Sequence, residues 1–170
     1  MGAGSEAEGA GMKGRTTVER TSDRELVVTR RIHGPARLVF EAFTRPELFK
    51  RWWVPQSMGL NLLSLELDVR VGGTYRLVFG VEGAEPMAFH GRYLEVVPPS
   101  RLVWSNDEGG EGGAVTTVTF EDEGGTTLLV MRDLYPSKEA LDAMAGMEGG
   151  VQESFEQLEE LVVSLAAGPS

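Results

Sequence analysis

Two hydrophobic periods divide this sequence. Leu63, Leu65, Leu67 and Val69 alternate with Ser64, Glu66, Asp68 and Arg70, the period of two that gives a strand one buried and one wet face. Val71-Gly72-Gly73 follows, and glycine takes the positive φ angles of a tight turn without steric cost. Tyr75, Leu77, Phe79 and Val81 then repeat the alternation on a return strand, so antiparallel pairing is the local solution. Near the C-terminus the period changes. Met144, Met147, Val151, Phe155, Leu158, Val162 and Leu165 recur at steps of three and four, which places them on one helical face. From Met147 to Leu165 such a helix spans about 28 Å, enough to cross a whole sheet. A chain with both periods must lay a long amphipathic helix against an antiparallel sheet.

The remaining segments fill in this plan. Ordered structure is expected from about Arg24, where Leu26, Val28 and Ile32 mark a first strand. His33-Gly34-Pro35 ends it, and Pro35 suits the first turn of a helix carrying Leu38, Val39, Ala42 and Phe43. Thr44 is placed to cap a second short helix from Pro46, which leads Leu48 and Phe49 into Trp52-Trp53 and stops at Val54-Pro55. Further strands are expected over about Met87–Val97, around Leu102 and Trp104, from about Ala114 to Phe120 and from about Thr126 to Asp133. Asn106 to Gly113 has no apolar residue and four glycines; with no Lys or Ser/Thr in P-loop register it reads as a hairpin loop, not a phosphate cradle. Ser137 can cap a helix to about Ala145, with Gly146 a break before the long helix to Ala166.

The resulting expectation is an α+β domain of seven antiparallel strands over residues 24–166, with tails at 1–23 and 167–170. Met1 to about Thr21 reads as a mobile extension, and Met12-Lys13 is a possible second start. Its start lacks the basic and apolar regions of a secretory signal, which makes the cytoplasm the expected location.

Composition narrows the chemistry. At 170 residues with 41% hydrophobic and 25% charged residues, the chain has the make-up of one globular domain. It has no cysteine, which removes disulfides, thiolate metal sites and thiol nucleophiles together. His33 and His90 have no metal-type partner at i+2 or i+4, and no G-x-S-x-G motif occurs. No metal, cofactor or catalytic residue is therefore expected. The formal net charge of −10 disfavours nucleic acid and anionic membrane surfaces as partners. Much of that acidity sits at Glu148, Glu153, Glu156, Glu159 and Glu160, read as the solvated outer face of the long helix. Every apolar run is too short for the roughly 18 residues of a membrane span.

The order of elements carries a resemblance. Arg31-Ile32, Ala36, Val39-Phe40-Glu41-Ala42-Phe43-Thr44, Pro46 and Trp52-Trp53-Val54-Pro55 are followed by Arg70-Val71-Gly72-Gly73, Gly91-Arg92-Tyr93 and Pro98-Pro99 with Arg101-Leu102. Together these resemble the Hsp90 ATPase activator homologue family of the START/Bet v 1-like helix-grip superfamily, over about Arg24 to Leu165. The resemblance implies a curved seven-stranded sheet gripping the C-terminal helix around an apolar cavity that receives a small hydrophobic molecule such as a lipid, sterol or polyketide. A curved sheet met by a helix along one face leaves such a gap on physical grounds as well. Candidate lining residues are Trp52, Trp53, Phe79, Met87, Phe89 and Trp104, with Met131, Met144, Met147, Val151 and Phe155 on the helix side and the far strands. Two adjacent indoles cannot both face one core from one helix, so one of Trp52 and Trp53 is expected either over the cavity mouth or exposed.

Other functions are weighed against this one. Some relatives in the wider superfamily are cyclases, dehydratases or hydrolases, which makes His90, Tyr93 and Glu95 the residues to test for catalysis. Arg70 can pair with an acid, and Arg132, Asp133 and Tyr135 either offer polar groups at one end of the pocket or pair at the surface. Chaperone activation belongs, in the namesake, to a chain with a separate N-terminal domain and an Asn-Asn-Trp-His-Trp motif. About 23 residues precede the first expected strand here, and nothing resembles that motif, so the activation is not carried over, and a chaperone-associated role stands as an alternative without support of its own.

Overall fold

A computed structural model describes residues 16–54, 61–80, 83, 85–107, 113–142 and 148–167. Strands β1 (Thr16–Arg20) and β2 (Glu25–His33) precede helices α1 (Ala36–Thr44) and α2 (Pro46–Phe49). Then come β3 (Asn61–Leu67), β4 (Thr74–Gly80), β5 (Met87–Val97), β6 (Arg101–Ser105), β7 (Val115–Asp122) and β8 (Thr126–Leu134). Helices α3 (Lys138–Asp142) and α4 (Glu148–Ala166) close the chain. The sheet is antiparallel, in the order β1-β2-β8-β7-β6-β5-β4-β3, so β1 and β3 are its edges. No helix among the described residues is long and apolar enough to cross a membrane.

The sheet has eight strands, not the seven expected. The additional one is β1, from the stretch read as a mobile tail. Its Thr-Thr-Val start is β-branched and suits a pleated edge, and it pairs with β2 from Thr16 opposite Arg30 to Arg20 opposite Leu26. Arg30 Nη1 also donates to Thr16 Oγ1 at 2.7 Å, tying the edge strand to its neighbour.

Helix ends follow local chemistry. Pro35 is the N-cap of α1 rather than part of its first turn, and the free Ala36 N–H donates to Asp122 Oδ2 at 3.1 Å, across the β7–β8 turn. Thr44 does not cap α2. It remains the last residue of α1, within reach of the preceding turn, so its hydroxyl donates to Phe40 O at 3.0 Å and Arg45 takes the cap position. Ser137 does cap α3, accepting from Ala140 N at 3.1 Å.

The core lies between the sheet and the helices. Val28, Ile32, Leu102, Val118 and Leu129 from the strands meet Val39, Trp52, Phe155, Leu158 and Val162. Trp52 is fully buried, packs against Phe43 at 4.7 Å and donates from Nε1 to Ala42 O at 2.8 Å. Helix α4 grips the segment after α2 by its polar edge: Ser154 Oγ donates to Trp53 O at 2.7 Å, and Gln157 Nε2 donates to Trp52 O and Val54 O at 2.9 Å each. Among the strands, α4 packs on β1 and β2.

One acid departs from the solvated face expected for α4. Glu159 is buried and pairs with the equally buried Arg30 at 2.7 Å, while His33 N donates to its other oxygen at 3.0 Å. The reason is position: Glu159 follows Leu158 at the border of the apolar stripe, on the side that meets β2.

Candidate functional site on the inner face of the sheet

Residues paired in register share one face of a sheet. Leu65, Leu77 and Phe89 form one such row across β3, β4 and β5, and Leu62, Phe79 and Met87 form the next. Leu77 and Phe79 are buried in the core cluster, whereas Phe89 is 38% and Met87 45% exposed on the same face. The Phe79 and Phe89 rings meet edge to face at 5.5 Å. Inner-face apolar surface therefore continues past the buried core to open side chains. At the β3 edge, Leu62 to Leu65 face Pro46 and Glu47 of α2 and the adjoining Lys50 across an open groove of about 430 Å³.

The sequence-derived lining divides between these two zones. Trp52, Trp104, Met131 and Phe155 are buried core, with Trp52 and Phe155 6.2 Å apart. Phe79, Phe89 and Met87 form the open patch. Trp53 and Val151 are half-buried, and Trp53 stacks on Phe49 at 4.8 Å; of the two indoles, Trp53 is the one left partly exposed. Met144 and Met147 lie outside the described residues. Leu62 and Leu65 belong to the patch; the alternation marked Leu65 but put Leu63 rather than Leu62 on the buried face, and the β-bulge between Leu62 and Ser64 turns Leu63 outward, 58% exposed.

The hairpin and Gly-Arg-Tyr motifs shape this face. Gly72 has φ of +86°, and a Cβ on Gly73 would lie 2.0 Å from Asp68 O. Arg70 pairs with Asp68 at 3.0 Å, in solvent rather than with a buried acid. Gly91 lies opposite Tyr75, and its missing side chain lets the Tyr75 hydroxyl cross to donate to Ser105 O at 2.7 Å. Burial raises the Tyr93 hydroxyl pKa, and Asp68 adds to the shift. The candidates for catalysis are not brought together: His90 is in register with Arg76 on the exposed face, and Glu95 pairs with Arg101 at 2.8 Å at the surface.

A polar chain borders the apolar zone on the same face. Asn106 Nδ2 donates to Thr116 Oγ1 at 3.0 Å, and Thr116 Oγ1 donates to Asp133 Oδ1 at 2.6 Å. Burial pushes the Asp133 carboxyl up to about 6, against a smaller lowering by Thr116. Tyr135 is pushed up to about 12 by burial and by Asp133. Arg132 is exposed and points to the other face. No group of three or more His, Asp or Glu residues among the described residues could hold a metal ion.

An antiparallel sheet gripping a long C-terminal helix, with two short helices after its first long strand, defines an α+β helix-grip domain of the START/Bet v 1-like class. Residues 33–163 match the family "Activator of Hsp90 ATPase homolog 1-like protein", and the chain belongs to it. No curated protein matches the sequence. Among solved structures, one from Rhodobacter sphaeroides is 23% identical with a TM-score of 0.81, covering 89% of this chain and 99% of that one. One from Chromobacterium violaceum is 28% identical with a TM-score of 0.70, covering 83% and 98%. The AHSA1-like protein from Aeromonas hydrophila is 19% identical with a TM-score of 0.65, covering 81% and 92%.

Proposed function

We propose that this protein binds a small hydrophobic molecule on the inner face of its sheet, between β3–β5 and the C-terminal helix. The observation that carries this reading is the exposure of Phe89 and Met87 on the face whose neighbouring positions, Leu77 and Phe79, are buried. An apolar ligand laid across them removes that surface from water, and full burial of such a side chain is worth about 1.5–3 kcal/mol. Met87 is flexible and polarisable, which suits a ligand of variable shape. The α2–β3 groove borders the patch at Leu62 and Leu65.

Competition against 1-anilinonaphthalene-8-sulfonate fluorescence tests the reading with fatty acids, sterols and aromatic polyketides. At least one class is expected to displace the dye saturably, and Phe89→Glu is expected to weaken that displacement in a protein that still folds. Absence of displacement by every class contradicts it.

A further inference from the structure

On the inner face, the polar chain that crosses β6, β7 and β8 has a direction. Asn106 Nδ2 donates to Thr116 Oγ1, so the Thr116 hydroxyl turns its own proton to Asp133 Oδ1. Both of these donors run toward Asp133, and the chain ends there on an acceptor. Asp133 Oδ2 has no hydrogen-bond or ion-pair partner among the described residues, and it is not a closed-off buried atom. Thr116 and Asp133 are in register, and Asp133 alternates with the buried inner-face residues Leu129 and Met131. The carboxylate therefore stands on the same face as the core and the open patch of Phe79, Phe89 and Met87.

An acceptor with one oxygen fixed and the other unused recognises one chemistry, a hydrogen-bond donor. Asp133 is level in register with Thr116, Trp104 and Tyr93, and Phe89 stands four residues farther along β5, so anchor and patch lie about 14 Å apart across the strands and about 13 Å along them, a span of about 19 Å between backbones for an extended alkyl chain and the two inward-reaching side chains to cover. We infer that Asp133 is the polar anchor of the site, and that the ligand is an amphiphile with a hydroxyl or protonated amine at one end and an apolar body at the other. This inference rests on the hydrophobic-ligand reading above and adds the head group to it. A carboxylate head group is excluded by the same geometry, since it would bring a second anion to Asp133 Oδ2 with no cation paired to it. Thr116 acts as a positioning residue, holding Oδ1 so that Oδ2 faces the ligand.

The test uses one alkyl chain with three heads. Dodecylamine, dodecanol and dodecanoate, kept below their aggregation thresholds, are titrated calorimetrically into the intact protein near neutral pH. The amine and the alcohol are expected to bind at least about tenfold more tightly than dodecanoate, as a charge-assisted hydrogen bond gained against a repulsion requires. Asp133→Asn, which keeps an oxygen for Thr116 and offers an N–H in place of Oδ2, is expected to abolish or reverse that order. The order on the unaltered protein stands without the variant, should the variant fail to fold. Equal binding of all three heads overturns the anchor while leaving apolar binding intact. Retention of the order in a folded Asp133→Asn variant also overturns it. Absence of binding by any of the three, with no dye displacement by any ligand class, overturns the apolar reading itself.

Discussion

Arg30 and Glu159 bury opposite charges against each other at 2.7 Å, with side chains only 2% and 7% exposed, and this pair fixes the C-terminal helix to the second strand. Thr16 and His33 complete its hydrogen bonding, and Arg30 Nε is left without a partner among the described residues. Removing one member leaves the other charged and unpaired in the core. Glu159→Ala is predicted to cost about 3–5 kcal/mol in urea unfolding, whereas the double variant Arg30→Met/Glu159→Leu is predicted to recover most of that loss. A double variant no better than the single one would show that the pair is not acting as a unit.

Asp133 should give the protein an acid-side stability component of unusual sign. Its carboxyl sits at about 6 in the folded state against an ordinary 3.8. Between those values the native state holds the proton more tightly than the unfolded chain, so this stability is present at low pH and is lost as pH rises through about 6. Asp133→Asn is predicted to be more stable than the parent at about pH 7.5, by on the order of 1–3 kcal/mol, with the gain fading below about pH 4. Glu159 runs the other way. Burial would raise its pKa, but hydrogen bonds from His33 and Arg30 outweigh that and hold it below 4.5, so its stabilisation is present above that value and lost in acid. Thermal melts of the Asp133→Asn and parent proteins across this range measure the difference; a gap independent of pH would contradict the assignment.

Gly91 tests the packing at the centre of the face. A Cβ there would lie 1.9 Å from Ser105 O and 2.8 Å from the Tyr75 hydroxyl. Gly91→Ala is predicted to cost about 1–3 kcal/mol through overpacking against backbone. Adding Tyr75→Phe removes the hydroxyl but not the Ser105 carbonyl, so chemical denaturation of the double variant should show little relief.

Much of this architecture was legible because side-chain period reports directly on one-sided burial. The β3–β4 hairpin, the two short helices and the apolar stripe of α4 all follow from it. What escaped were residues whose partners lie far along the chain. Arg30 occupies an inward position between Val28 and Ile32, and a charge in that phase demands a buried counter-charge. The sequence does not say that it is Glu159, 129 positions away. Thr116 and Asp133 likewise share the inward phase of Val118 and Met131, but only strand register places them side by side. Trp52 and Phe155 follow the same logic: apolar identity marks them for burial, but only the fold brings them within 6.2 Å of each other and ties α4 to the Trp52–Val54 segment through Ser154 and Gln157. The strand at Thr16–Arg20 is an edge whose pairing comes from β2 rather than from any strong alternation of its own.

The central claim is that an apolar ligand seats on the open inner-face patch. A methyl-labelled sample titrated with dodecanol, followed by heteronuclear NMR, tests it residue by residue. The account predicts saturable shifts at the Met87 ε-methyl and at the Leu62 and Leu65 methyls, which share its face, and none at Val97 or Val163, which are 47% and 42% exposed elsewhere on the molecule. No saturable change at Met87, or equal changes at Val97 and Val163, would contradict it.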